Sequence, residues 1–448
     1  MDGFVGREEQ LKMLEELYKA VPQSCAVYGR MRLGKTALLQ KFCEFKRHIY
    51  ISGSNMLPED CLRNISEAVS RYTGTKERLE DIQDLFYLIK KHCVKKTVVI
   101  LDHYSDLLEV FPDLYNHVNR FVSRDIRDTR VLFIACDSDV SVFGRFSNLI
   151  EVRPMSYLEC TGFHPEYTPM QHLQAYGMVG GTPEYQEIVK GDPVESIKGC
   201  FLEQMSPLFM EAESMVNSEI SVRSDSVRIM HAMASGADNL RNISSISGLP
   251  PSSCTRAIGE MENKGLVVRE SSSSVQRNWI CSFDSNILRF YYSVVAEARA
   301  LPDFYSVDKA FVVAKGRIPG YMEGTFKTVC AEYIRMRWSA TSIMKVRSNG
   351  GAVSSDVDFM ASIVNPEGRK RAAFIVCRLS GEPMAMSDLN KMIAKSRALK
   401  SRDKNCFMMF SGCGFTDELK AVSVPDAEVE LLSLEDVYEP LPKKEASP

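Results

Sequence analysis

The 448-residue chain lacks an apolar run long enough to cross a bilayer, lacks a long low-complexity tract, and shows no charged-then-apolar leader at Met1–Gln10. Membrane insertion and secretion are therefore not expected, and a cytoplasmic protein is. It also lacks any Cys-x-x-Cys pair: its thirteen cysteines are scattered, as are its seven histidines. That excludes the usual zinc spacing and a disulfide framework, and it favours a reducing compartment. The dispersed thiols are expected as small core residues. What remains is a globular composition, 45% apolar and 25% charged, at a length that predicts roughly two to four domains.

Charge of one sign is also scarce overall, with a formal net charge of −3. Its distribution is uneven. From Arg369 to Lys404 ten basic residues face three acidic ones. Such a segment reads equally as a surface that follows a phosphate backbone and as a solvated helix face.

The N-terminal third alternates between helical and strand patterns. Helices are expected at Glu8–Ala20, Ala37–Phe45, Pro58–Tyr72 and Leu79–Cys93, and strands at Cys25–Tyr28, His48–Ser52, Thr97–Leu101, Arg130–Ala135 and Leu149–Val152. The continuous β-branched run Thr97–Leu101 suits a strand buried on both faces, and the alternation implies a parallel sheet with helices on both sides. From about Pro165 to Val222 the pattern becomes helical, broken at Val179–Pro183.

Gly29-Arg30-Met31-Arg32-Leu33-Gly34-Lys35-Thr36 fits Gly-x-x-x-x-Gly-Lys-[Ser/Thr] at every position, with an apolar strand before it and a helical pattern after it. In that context glycines let backbone N–H groups converge on phosphate oxygens, and the helix N-terminus adds positive potential. Lys35 is expected on the β- and γ-phosphates of ATP, and Thr36 on Mg²⁺. Asp102, closing the Thr97–Leu101 run, supplies the expected second metal residue, since ligands of open parallel sheets sit at the strands' C-terminal edge. The next residue, His103, stands where hydrolysing relatives of this site type place a glutamate to polarise water. Asp102 and His103 are thus the catalytic candidates, with Asp106 an alternative base, and hydrolysis is expected to be slow or absent. Asp137 or Ser138, after the Arg130–Ala135 run, is a candidate γ-phosphate sensor; a plain loop is the equal alternative.

On these motifs the chain resembles archaeal-type P-loop ATPases lying between the AAA+ and STAND groups, which carry a C-terminal winged helix and a restriction-endonuclease-like domain. Phe4-Val5-Gly6-Arg7-Glu8 matches the opening of that family, which implies Gly6 and Arg7 near the adenine. Gly29–Thr36 followed by Ala37-Leu38-Leu39 matches its Walker A motif, Val98–Asp102 its Walker B motif, and Gly180-Gly181-Thr182-Pro183 its Gly-Gly-x-Pro motif, which implies Gly181 and Pro183 at the nucleotide. The family's Asp-Glu is here Asp102-His103. No arginine finger can be assigned; Arg145 and Arg124 would be guesses.

The expected architecture is α/β: a P-loop core of the AAA+/STAND type (1–160), a helical lid (161–223), a winged helix-turn-helix (224–283), a helical connector (284–315), an α/β nuclease-like domain (316–438) and a disordered tail (439–448). In the winged-helix unit, Ser252–Lys264 would be the recognition helix, with Arg256 and Lys264 toward phosphates. Six basic against five acidic side chains make that unit a weak polyelectrolyte. In the nuclease-like unit Asp358 fits the first metal position, with Asp356 an alternative in a shifted register. Val376 and Arg378 stand where Glu-x-Lys is needed, and an aliphatic side chain cannot bind a hard cation. Cleavage is therefore expected to be lost. The partners expected are ATP with Mg²⁺, and DNA through the C-terminal half, with self-association left open; a winged helix serves equally as a protein-contact module or a lid, and the alternatives to an ATP-controlled switch are a non-hydrolysing nucleotide-gated protein-interaction scaffold and an ATP-regulated nuclease.

Overall fold

The computed structural model describes residues 3–53, 57–219, 223–271, 279–300, 306–338, 340, 342–346, 357–364, 368–399, 404–424 and 427–440. The chain forms two compact units. The first comprises Met1–Met155 and Gly181–Glu184; the second comprises Ser156–Gly180 and Tyr185–Pro448.

Five strands make the sheet of the first unit: β1 (Gln23–Tyr28), β2 (His48–Ser52), β3 (Thr97–Asp102), β4 (Val131–Asp137) and β5 (Asn148–Glu151). They are parallel, in the order β2-β3-β4-β1-β5. Every residue of β3 and β4 is buried. Their side chains divide by pleat. Val99 and Leu101 enter one apolar cluster with the helices Pro58–Thr73 and Gln83–His92, whereas Val98 and Ile100 enter another with the helix Lys35–Cys43. Burial on both faces is why these strands read as unbroken apolar runs rather than as alternating ones. The insertion of β4 between β3 and β1 separates the Asp102 edge from the Gly29 turn by one strand.

The expected elements are present with shifted ends. The helix expected from Leu79 begins at Gln83, because residues up to Asp81 form a turn in which the Asp84 carboxylate accepts from the Glu80 and Asp81 N–H groups.

The second unit opens with short helices. Pro169–Val179 starts at a capping box in which Thr168 and Gln171 exchange hydrogen bonds. Three helices follow, Arg223–Ala234, Leu240–Ser247 and Pro251–Asn263, then an antiparallel pair, β6 (Val267–Ser271) and β7 (Trp279–Phe283). Arg277 and most of the serine run lie outside the described residues.

A second five-stranded sheet has the order β12-β11-β10-β9-β8: β8 (Ser342–Lys345), β9 (Phe359–Val364), β10 (Lys370–Arg378), β11 (Asn405–Ser411) and β12 (Ala427–Ser433). The strands β8, β9 and β10 pair antiparallel, and β10, β11 and β12 parallel. The boundary expected at 315/316 falls inside one helix, Val307–Arg337. Gly316, Pro319, Gly320 and Gly324 suggest a break there, yet the helix continues through all four. Buried Phe311, Ala314, Ile318, Met322 and Phe326 hold it on the unit's core, and that packing outweighs the local propensity penalty.

Candidate functional site

Leaving β1 at Tyr28, the chain turns through Gly29–Gly34 into the helix Lys35–Cys43. A Cβ on Gly29 (φ 152°) would stand 2.2 Å from the Val152 carbonyl oxygen, so only glycine fits. Gly34 (φ 82°) caps the helix in the left-handed region. Three non-glycine residues share that conformation, Arg7, Arg32 and His103. Strained backbone of this kind concentrates where a site over-determines it, and all three lie in or beside the candidate site.

The Lys35 ammonium donates to the carbonyls of Gly29 at 2.7 Å and Arg30 at 3.0 Å, which holds it across the mouth of the turn. Burial lowers its pKa, against the opposing pull of Cys136, Asp102 and Asp137. The Thr36 hydroxyl donates to Asp102 Oδ2 at 2.8 Å. Asp102 is buried, and Oδ2 also accepts from the Tyr50 hydroxyl at 2.5 Å, while Oδ1 accepts from the His103 N–H at 3.0 Å. Burial and the adjacent Asp102 carboxylate raise the Tyr50 pKa, so this phenol remains a donor. Thr36 and Asp102 therefore present two hard oxygen ligands side by side, a donor set suited to Mg²⁺ completed by water and phosphate. Among the described residues, no group of three or more His, Cys, Asp or Glu could hold a metal.

His103 is half-exposed; its Nδ1 lies 3.2 Å from Ser52 Oγ and 3.8 Å from Asp102. Asp137 is occupied otherwise than as a free sensor. Oδ2 accepts from Ser105 N at 2.6 Å and Ser105 Oγ at 2.7 Å, and Oδ1 from the N–H groups of Ser138 and Asp139. It ties the end of β4 to the helix Tyr104–Val110; Ser138 is exposed.

Arg7 is buried, and its guanidinium donates to the carbonyls of Leu33 at 2.9 Å and Arg153 at 2.6 Å. It braces the phosphate turn from behind, beside Gly6 (φ 64°). Within the turn Leu33 is buried, Met31 is exposed and Arg32 pairs with Glu184 at 3.0 Å; Ala37 is exposed in the first turn of the helix. Gly181 is pressed against Met155: its carbonyl accepts Met155 N–H at 2.8 Å, and a Cβ would lie 1.9 Å from the Met155 oxygen. Pro183 begins the next helix, and its Cγ lies 3.6 Å from where a Gly34 Cβ would stand. Gly181–Pro183 is thus a strut against the phosphate turn. Tyr50, Ser52 and Ser105 were not foreseen. The only signal was polar residues in the otherwise apolar strand β2, whose register sets Ser52 beside Asp102.

In the second unit Asp358 is buried and bonded by the Lys327 ammonium at 2.5 Å and by the Cys377 N–H at 2.8 Å. Val376 is buried in the apolar cluster, and Arg378 pairs with Asp388 at 2.8 Å. Asp356 lies outside the described residues. Of the basic segment, Arg371 is buried against Glu428 and Arg378 is paired, so neither adds to an outer positive face. Lys391 and Arg397 are exposed, whereas Lys400 and Arg402 lie outside the described residues.

Residues 4–189 match the family model described as an ATPase domain predominantly from Archaea. An uncharacterized protein, MJECL04, of Methanocaldococcus jannaschii is 23% identical over 311 residues, 65% of this chain and 69% of that protein. Among solved structures, the Walker-type ATPase PABY2304 of Pyrococcus abyssi is similar at 15% identity with a TM-score of 0.48, covering 65% of this chain and 96% of that one. The ORC1 protein of Aeropyrum pernix, solved in complex with DNA, is similar at 13% identity with a TM-score of 0.33, covering 69% and 93%.

Proposed function

We propose that this chain is an ATP-binding, DNA-associated switch whose P-loop site binds nucleotide firmly and hydrolyses it weakly. The carrying observation is the contact between Thr36 and Asp102, 2.8 Å apart behind a phosphate turn closed by Lys35. Lys35 would hold the β- and γ-phosphates, and the backbone N–H groups of Gly29–Ala37 would cradle the remaining oxygens. Thr36 and Asp102 would hold Mg²⁺, which when bound supplies charge neutralisation between the phosphates. Gly6 and Arg7 would border the base, and Gly181 and Pro183 would cover the nucleotide.

Hydrolysis needs a base beside the phosphate. His103 is the residue placed next to Asp102, but a neutral imidazole half-turned to solvent polarises water less than a carboxylate. The DNA reading is supported by the three helices and strand pair of residues 223–283, arranged as a winged helix would be, with Arg256 exposed on the third helix and Lys264 exposed at its C-cap. In the nuclease-like reading of the second sheet, the acid at the first metal position, Asp358, is spent on Lys327 and Val376 offers no ligand, which supports lost cleavage.

Nucleotide binding and phosphate release, measured together with and without duplex DNA, test the proposal. Saturable ATP binding that Lys35→Ala abolishes, with slow turnover that changes on adding DNA, is expected. No saturable ATP binding sinks the reading. Binding with no turnover under either condition reduces it to a nucleotide-gated scaffold.

A further inference from the structure

A cleft of about 780 Å³ opens within the second unit, between the strand pair β6 and β7, the helix Val307–Arg337 and the near end of the β8–β9 pair. Its volume lies in the range of small-molecule sites. The helix presents Gly316, Gly320 and Gly324 to it, and a Cβ added at any of them would meet nothing within 4 Å. The helix backbone is therefore bare along one wall, and a ligand can approach it closely.

The cleft's lining holds five cations, Arg289, Arg317, Lys327, Arg335 and Lys345, against three carboxylates, Asp238, Glu270 and Asp358; Arg317 is paired with Glu297. Arg289 contributes Nε to the Tyr321 hydroxyl at 3.1 Å, Nη1 to Thr328 Oγ1 at 3.2 Å and Nη2 to Thr325 Oγ1 at 2.9 Å. All three hydrogen-bond partners are neutral hydroxyls on the long helix, and the guanidinium also lies 4.9 Å from the Tyr321 ring centroid; among the described residues no carboxylate forms an ion pair with it, so it is fixed in place with N–H donors to spare. Lys345 and Arg335 line the same space, the latter 3.8 Å from Glu270. Lys327 is already matched by Asp358. Phe283, half-buried, supplies an aromatic surface in the same lining. A rigid guanidinium without a carboxylate partner and an aromatic surface lining one cleft is the pairing that recognises a phosphoryl group attached to a base.

We propose that this cleft binds a phosphorylated nucleotide unit, either free or as the 5′-terminal nucleotide of a nucleic-acid strand, with Arg289 holding the phosphoryl group. The site is separate from the P-loop and does not depend on the reading given to it.

The test uses the full chain carrying Lys35→Ala, so that the P-loop is silent. The probe is a 3′-fluorescein pentathymidylate with a 5′-phosphate, followed by anisotropy. Competitors are the same strand without the phosphate, thymidine monophosphate and inorganic phosphate. Saturable binding is expected. It weakens about tenfold or more in Arg289→Gln, the loss of one charge-assisted contact, and in Gly320→Leu, which fills the cleft from a position with open space. Gly320→Ala, adding one methyl, keeps binding and serves as the folded control. Displacement by the monophosphate assigns the site to a free nucleotide, and displacement only by the 5′-phosphorylated strand assigns it to a strand end; both support the proposal. No saturable binding of strand or monophosphate overturns it, and so does binding that Arg289→Gln leaves unchanged.

Discussion

Asp102, closing β3 of the parallel sheet, and Asp358, just before β9 of the mixed one, are both buried carboxylates, and their partners differ in kind. Asp102 is held by two hydroxyls and one amide, from Thr36, Tyr50 and His103. Asp358 is held by an ammonium and an amide, from Lys327 and Cys377. Hydroxyls are neutral and can share a carboxylate with a cation; an ammonium takes the place the cation would need. An acid at or beside a strand end is therefore a metal site or a structural ion pair according to what faces it, and burial alone does not distinguish the two.

The largest expected effect breaks the closed site. Lys327→Ala leaves Asp358 buried beside an amide alone and should cost about 1–3 kcal/mol, a range reduced because a third of the lysine side chain is exposed. Urea unfolding measures it, and the pair Lys327→Met with Asp358→Leu should recover most of the loss. A neutral Lys327→Ala would mean the ammonium is not what holds the acid. Next in size, Asp102→Asn should weaken Mg²⁺-dependent ATP binding about 10- to 30-fold while sparing binding in EDTA; titration calorimetry under both conditions reads the difference. Equal weakening in both would show that Asp102 acts on the fold rather than on the metal.

His103→Glu sharpens the comparison from the catalytic side. It should raise steady-state phosphate release about fivefold, below the ~10²-fold or more of a well-placed base, because glutamate tolerates φ 52° poorly. An unchanged rate would move the slow step away from position 103. Tyr50→Phe removes one of three donors to Asp102 and should cost about 0.5–1 kcal/mol by thermal unfolding. The smallest effect is a pH trend. The Lys35 pKa is lowered by burial, and bound phosphate would raise it. Affinity should therefore be full at neutral pH and decline as pH rises through the free protein's lowered value, before an ordinary lysine would titrate. A flat affinity from about pH 7 to about pH 10 would count against Lys35 as the phosphate cation.

Sequence showed most of the first unit because its determinants are local. An unbroken apolar run marks a strand covered on both faces, and the Gly29–Thr36 spacing is dictated by one turn. The partners of Asp102 were only half legible. Thr36 is in the motif, but Tyr50 reaches the carboxylate through sheet register. Arg7 is expected beside the adenine from the resemblance; its hydrogen bonds to the main-chain carbonyls of Leu33 and Arg153 are long-range and leave no trace in the local pattern. In the second unit Val376 could be set against the Glu that the nuclease-like resemblance implies, whereas the lysine that pairs with Asp358 lies 31 positions earlier on a helix that Gly316, Pro319 and Gly320 disguise.

The first unit is not a continuous stretch of chain. After Met155 the polypeptide leaves it for 25 residues and comes back for four, Gly181–Glu184, whose closing contacts are the Gly181–Met155 hydrogen bond and the Arg32–Glu184 pair. During synthesis the phosphate turn is consequently made long before its last support. A nascent chain that has not yet delivered Glu184 from the ribosome has all five strands of the sheet but not the segment that packs by Gly34, so the turn gains its last support only after the next module has begun to emerge.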